Sequence, residues 1–262
     1  MAATHHPVFS EPADLNVLIW RYMDFTKFVS MLVRRGLFFS RIDRLGDPFE
    51  GSFPEMNTRD DMFVPRPEIE GNPKKIKEEL SGAKLIRQVT KHMRPWWYAN
   101  CWHMSECESA AMWKTYARTE EAVCILSTFK KLSNVLPKKA HVGCVKYIDY
   151  SKNAIALGNM ALPFIHKRMS FEHEREIRAL IVNNNGNTSW LVKQGVLPQS
   201  TELPILPEGG VWQDVDLVKL IDKVYVAPTA PNWFKETVEQ TIQKFGFEFP
   251  VVQSSLDDSP VW

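Results

Sequence analysis

Residues 100–126, NCWHMSECESAAMWKTYARTEEAVCIL, pass from one apolar run through a helical stretch into a second apolar run. The first run ends on Trp102 and His103. Ser105, followed three residues later by Glu108, has the spacing of a capping box, which predicts a helix that opens at Ser105 and carries Trp113 and Tyr116. Two tryptophans, a histidine and a tyrosine then gather near the N-terminus of one helix, where unpaired N–H groups suit an anion. The stretch therefore reads as strand, helix, strand, with a seat for a nucleotide or another anionic small molecule at its centre.

Working towards the N-terminus, Asn16 to Tyr22 (NVLIWRY) reads as a strand, and Asp24 caps a helix whose Phe25, Phe28, Val29 and Leu32 share one face before Gly36 stops it. Leu37 to Arg41 is a second strand. Residues 1–14 read as a flexible leader, and 52–95 as an insertion that is irregular and proline-rich at first, then helical from Lys74 to Met93. Working towards the C-terminus, Thr128 caps a short helix through Leu136, and His141 to Tyr150 is a strand. Asn159 to Met169 reads as a helix around Pro163, and Glu174 to Val182 as a strand that leads into a polar turn at Asn183 to Asn187. Gly209 to Leu220 holds one or two strands and Lys223 to Ala227 another. Pro231 to Phe245 is an amphipathic helix ended by Gly246, and Phe249 to Gln253 a last strand. Strands outnumber helices without alternating strictly with them, and no strand runs into a Gly-rich phosphate turn. The expected fold is a single α+β domain with a mixed, mainly antiparallel sheet and flanking helices.

Composition narrows the classes. With 44% hydrophobic residues in 262, the chain can bury a sizeable core. Its 32 Lys+Arg against 31 Asp+Glu leave +1, which argues against a nucleic-acid partner, and no apolar run is long enough for a membrane span. The first residues lack a secretion signal, so a cytoplasmic location with reduced cysteines is expected. Cys101, His103 and Cys107 are metal-ligand types, but no second pair completes a tetrahedral site, so no metal is assigned.

The strongest candidates for chemistry lie in the strand after Phe171. A period of two puts Glu174, Glu176 and Arg178 on one face, either as a structural ion-pair ladder or as the wall of a cleft. In the cleft reading one glutamate contacts substrate and Arg178 orients it. Glu176, deeper in the strand than Glu174, is the preferred acid, and Glu176→Gln is expected to abolish turnover with the fold intact. Arg21, followed by Tyr22 at the end of an apolar strand, suits a phosphate or carboxylate, or else pairs with one of the strand acids. His103 and Ser105 have simpler structural roles available, as a hydrogen-bonded histidine and an N-cap, while Trp113 and Tyr116 could be core residues or a stacking platform. Asp47 and Glu50 sit in a turn and would matter to a metal-dependent hydrolase only if they converged with Glu174 and Glu176 on one ion.

The order of these motifs resembles a bacterial family known as domain of unknown function 2971. The resemblance is carried by LIWRYMDFTKFVSMLVRRGLFFSRIDRLGDPFEG, CWHMSECESAAMWKTYA, SFEHEREIRALIV and VYVAPTAPNWF, and it covers nearly the whole chain. A looser likeness is to ADP-ribosyltransferases, which place a basic residue on the first strand, a Ser- or Tyr-bearing motif mid-chain and a glutamate late. That likeness implies NAD as substrate, with Arg21 on its phosphates or ribose, Tyr116 or Trp113 stacked on nicotinamide, and Glu176 or Glu174 at the ribose and its oxocarbenium-like transition state. The alternative is a non-enzymatic module that senses the same ligand in stress or phage defence.

Overall fold

A computed structural model describes residues 7–58, 67–117, 119–183 and 207–259. The strands are β1 (Leu18–Asp24), β2 (Gly36–Arg41), β3 (Trp97–Met104), β4 (Ala122–Thr128), β5 (His141–Cys144), β6 (Lys146–Ile148), β7 (His166–Arg168), β8 (Glu176–Val182), β9 (Gly210–Asp214), β10 (Lys223–Val226) and β11 (Val251–Gln253). Nine of them form one sheet in the order β11-β10-β4-β1-β3-β2-β9, with β8 added to β3 and β5 to β8, while β6 and β7 pair with each other. Within the large sheet only β10 and β11 run parallel. The helices are α1 (Phe25–Arg34), α2 (Pro73–Met93), α3 (Ala110–Tyr116), α4 (Phe129–Val135), α5 (Leu217–Leu220) and α6 (Asn232–Lys244). This is the α+β class expected, with a mixed, mainly antiparallel sheet and flanking helices. No helix among the described residues is long and apolar enough to cross a membrane.

The sheet forks at β3. One edge of β3 pairs with β8 along its length, from Trp97↔Val182 to His103↔Glu176. Its other edge is shared, because β1 takes His103 and Met104 while β2 takes Tyr98 and Ala99. Asn100 to Trp102 therefore face a gap between β1 and β2. Open backbone in a gap must find other partners, and here the Phe38 carbonyl accepts from Asn100 Nδ2 at 2.9 Å and from Arg21 at 3.5 Å. Asn100 in turn accepts from Trp102 Nε1 at 2.6 Å.

Side-chain alternation along the ladders sorts the faces. Trp20, Cys101, His103, Glu176 and Arg178 share one face by register. Trp102 and Ile177 belong to the other face, as does Arg21 one step along β1 from Trp20. The main core includes Phe28 and Leu32 from α1, Val123 and Ile125 from β4, and Phe234 and Val238 from α6. A smaller cluster of Trp97, Ala99 and Leu180 with Phe164, Ile165, Val89 and Met93 adjoins the charged end of the face that carries Glu176 and Arg178.

Several local expectations are corrected. Helix α3 opens at Ala110 rather than Ser105, because Ser109 is the residue whose hydroxyl accepts from the Met112 N–H. Glu108 instead accepts from Trp113 Nε1 at 3.0 Å. Asp24 sits at the N-cap of α1 without a side-chain cap bond, and Arg35, not Gly36, takes the left-handed turn that ends it. Pro163 supports only a 3-10 turn over Leu162–Phe164, after which the chain extends as β7 instead of continuing a helix to Met169. The 141–150 strand breaks at Val145, where the chain leaves β8 and joins β7. Residues 209–220 hold one strand and then α5, capped by Asp216. Within the 1–14 leader, Val8 and Phe9 are buried, and Phe9 stacks on His141 at 5.0 Å. The turn expected at 183–187 lies outside the described residues beyond Asn183.

Candidate functional site

Charged residues that are distant in the chain meet on the face of β8. Arg178, 0% exposed, uses all five of its N–H donors within the protein. Its Nε and Nη2 reach Glu176 at 2.6 and 2.9 Å, Nη1 and Nη2 reach Glu50 at 2.8 and 3.0 Å, and Nη1 also reaches the Phe164 carbonyl at 2.9 Å. Lys167 of β7 lies between three carboxylates: Glu50 at 3.4 Å, Glu176 at 3.3 Å, and Glu174, which it touches directly. Glu50, Glu174 and Glu176 do converge, therefore, but on an ammonium. Among the described residues, no group of three His, Cys, Asp or Glu has the arrangement of a metal site.

Local backbone explains how the residues arrive. Glu50 ends a turn after Asp47, whose carboxylate holds Arg168 of β7 at 2.7 and 3.1 Å. Gly51 has φ +69°, and a Cβ there would come within 2.5 Å of the Phe164 ring, so the turn closes tightly against the core only with glycine. Glu174 is not part of β8. It ends a 3-10 stretch, Met169–Glu174, and Arg175 at φ 40° turns the chain into the strand. Glu174 still faces Glu176, through Lys167 rather than through strand periodicity.

The two glutamates differ in what they have left to offer. A carboxylate accepts about four hydrogen bonds. Glu176 accepts three from Arg178 and Lys167, and the Cys101 thiol lies against it. Burial alone would raise its carboxyl, but Arg178 and then Lys167 outweigh this and hold it at about 2. The same carboxylates outweigh desolvation at Lys167 and hold that ammonium above its ordinary value. Among the described residues, Glu174 accepts only from Tyr116 Oη, at 3.1 Å, and from Lys167. It retains room for a ligand where Glu176 does not.

A cavity of about 830 Å³ opens over this cluster and reaches through the fork of the sheet. Glu50, Glu174, Glu176 and Lys167 line one wall, and Tyr116 of α3, 40% exposed, stands at its rim. Half-buried Phe38 of β2 and Trp212 of β9, 5.3 Å apart, form an aromatic wall. Arg21 lines it in the gap between β1 and β2, its guanidinium 5.9 Å from the Trp102 ring. Among the described residues no carboxylate pairs with Arg21, and burial lowers its guanidinium to about 10. His103 lines the cavity beside Tyr22, with ring centroids 6.4 Å apart.

Of the residues singled out in the sequence, Glu174, Glu176, Arg178, Arg21, Tyr22, Trp102, His103 and Tyr116 line this cavity, and Ser105 and Trp113 do not. Ser105 gives its carbonyl to Trp20 Nε1 at 2.7 Å. Trp113 packs edge-on to Tyr22, whose hydroxyl accepts from the Ser109 N–H at 2.9 Å. At the start of α3 the Met112 N–H is thus taken by the Ser109 hydroxyl and the Ser109 N–H by Tyr22. Lys167, Phe38 and Trp212 are among the cavity residues that sequence reasoning passed over. Lys167 was hidden by a helix assignment that Pro163 breaks, and Phe38 with Trp212 by a β2–β9 pairing of 174 residues' separation. Set against known protein families, curated proteins and solved structures, the chain matches no family model, no curated protein and no solved structure.

Proposed function

We propose that this cavity binds a nucleotide-type ligand and acts on the glycosidic bond of NAD or a related dinucleotide, as an ADP-ribosyl transferase or glycohydrolase. The observation that carries the reading is the charge arrangement. At one end of the cavity Arg21 is a cation with no carboxylate partner among the described residues. At the other, three carboxylates (Glu50, Glu174, Glu176) share two cations (Lys167, Arg178), which leaves one negative charge in a buried wall. Isolated buried charges are costly unless something pairs with them. NAD supplies both partners, an anionic diphosphate for Arg21 and a positively charged nicotinamide ring for the acidic wall. The volume lies within the range of small-molecule sites, and Phe38 with Trp212 offers a face for a base.

In this reading Glu174 faces the ribose and stabilises the positive charge that develops as the bond to nicotinamide breaks. Glu176 and Arg178 hold that wall in place. The test is incubation of the purified protein with NAD and a panel of other nucleotides, followed by mass spectrometry of small molecules and protein. Nicotinamide release, or an added ADP-ribose mass, supports the reading. Ligand-induced thermal stabilisation with every nucleotide left intact would favour a ligand sensor instead. Arg21→Met is expected to weaken NAD binding about 10- to 100-fold, the loss of one charge-assisted contact. Calorimetric titration with NAD checks this, and an unchanged affinity would remove Arg21 as the anion seat.

A further inference from the structure

Resting on that reading of the cavity, we infer that His103 is the proton acceptor of the site, through its Nε2 atom. The geometry fixes which nitrogen is which. Nδ1 lies 2.6 Å from the Glu174 backbone carbonyl, which can only accept, so Nδ1 carries the proton. The neutral ring then presents Nε2 as a bare lone pair. Among the described residues no group bonds Nε2, yet it is not one of the sealed, partnerless polar atoms of the protein, so it is open to the cavity that His103 lines.

The surroundings keep the ring neutral and ready. Burial is the largest influence on His103 and lowers its pKa, while the bond to the Glu174 carbonyl opposes that shift. From the turn before β8, Arg175 and His173 push it down and the Glu174 carboxylate pushes it up. Across the ladder lies Glu176, and from β1 comes Tyr22, whose own hydroxyl is driven upward by burial and does not compete for the proton. Once protonated, the imidazolium stands beside the acidic wall, whose spare negative charge offsets its own.

The step balances without a further reactant. The C1′–N bond to nicotinamide breaks, and its electron pair leaves with the ring, which becomes neutral. The oxygen of water, or of an acceptor hydroxyl, forms the new C1′–O bond. Its proton passes to His103 Nε2 and from there to solvent. Glu174 and His103 thus divide the work, one stabilising the carbocation-like ribose and the other deprotonating the nucleophile.

The test uses the full chain with His103→Asn, since asparagine can keep the donor to the Glu174 carbonyl while removing Nε2. The variant is expected to bind NAD as the wild type does and to consume it about 100-fold more slowly, within the usual range for a lost general base. Because burial lowers the His103 pKa, wild-type turnover should hold through the ordinary histidine range and fall only at a lower pH, and the variant should lack that limb. Wild-type rates in His103→Asn, with NAD consumed by both, would overturn the inference. A wild type that neither binds nor consumes NAD would instead remove the reading of the cavity. Nitrogen NMR of the histidines decides the remaining point independently of activity: a protonated Nε2 on His103 at neutral pH would overturn the inference whatever the ligand.

Discussion

Replacing Arg178 with methionine is expected to destabilise the protein by about 3–5 kcal/mol, the cost of removing one partner from a buried ion pair. Methionine nearly fills the space, so the loss is electrostatic rather than a cavity. It leaves Glu50 without its bidentate partner, Glu176 without two of its three donor bonds from cations, and the Phe164 carbonyl without a donor. Lys167 alone would then face three carboxylates. Arg178→Lys is expected to recover little, since an ammonium cannot span Glu50 and Glu176 in two bidentate contacts at once. Urea denaturation followed by tryptophan fluorescence measures the difference. A midpoint within error of the wild type would mean that the network is not a keystone of the fold.

The same network sets the behaviour in acid. Arg178 and Lys167 hold the Glu176 carboxyl down to about 2 in the folded protein, against the ordinary glutamate value of 4.5 in the unfolded chain. A carboxyl whose folded pKa is depressed contributes stability above the unfolded value and loses it as pH falls through the folded one. The part of the urea midpoint due to Glu176 should therefore hold steady at and above about pH 5 and decline from pH 4.5 towards 2. In Arg178→Met, which removes the main cause of the depression, that decline should be shallower. An equal slope in both proteins would place the acid sensitivity elsewhere.

The sheet was legible in the sequence because short, mostly apolar runs such as Leu18–Asp24 and Glu176–Val182 are of strand length and are buried at four and at six of their seven positions. The cavity was half legible. Arg21, Glu174, Glu176 and His103 stand out because charge or imidazole inside an apolar run needs a reason. What the sequence could not show is partnership. That Glu50 meets Arg178 across 128 residues depends on a Gly51 turn closing against Phe164, and that Lys167 sits among three acids depends on where Pro163 ends its 3-10 turn. Spacing also misled at Ser105 and Glu108, where a capping box was spelled out but Ser109, four residues on, won the helix start because its N–H also bonds the Tyr22 hydroxyl. Local signals compete, and long-range contacts choose between them.

Glu174→Gln is expected to lower NAD turnover about 1000-fold, the upper range for removing one electrostatic stabiliser of a transition state, while changing the urea midpoint little. The asymmetry with Glu176 makes this a sharp test. A glutamine at 174 can still accept from Lys167 and meet the Tyr116 hydroxyl, and Lys167 keeps Glu50 and Glu176 as partners. The wall then holds two carboxylates and two cations, balanced and with no spare charge for a developing cation. A glutamine at 176 instead turns an amide N–H₂ towards a guanidinium, or gives up one of its contacts, at a side chain that is almost fully buried. Glu176→Gln is therefore expected to lose stability first, and activity as a consequence, against the intact fold that sequence position alone suggested. Measuring both variants by nicotinamide release and by urea midpoint separates the roles. If Glu174→Gln turned over NAD at the wild-type rate while Glu176→Gln folded normally and did not, the ligand-facing carboxylate would be Glu176, and its bonds to Arg178 would have to open when the ligand enters.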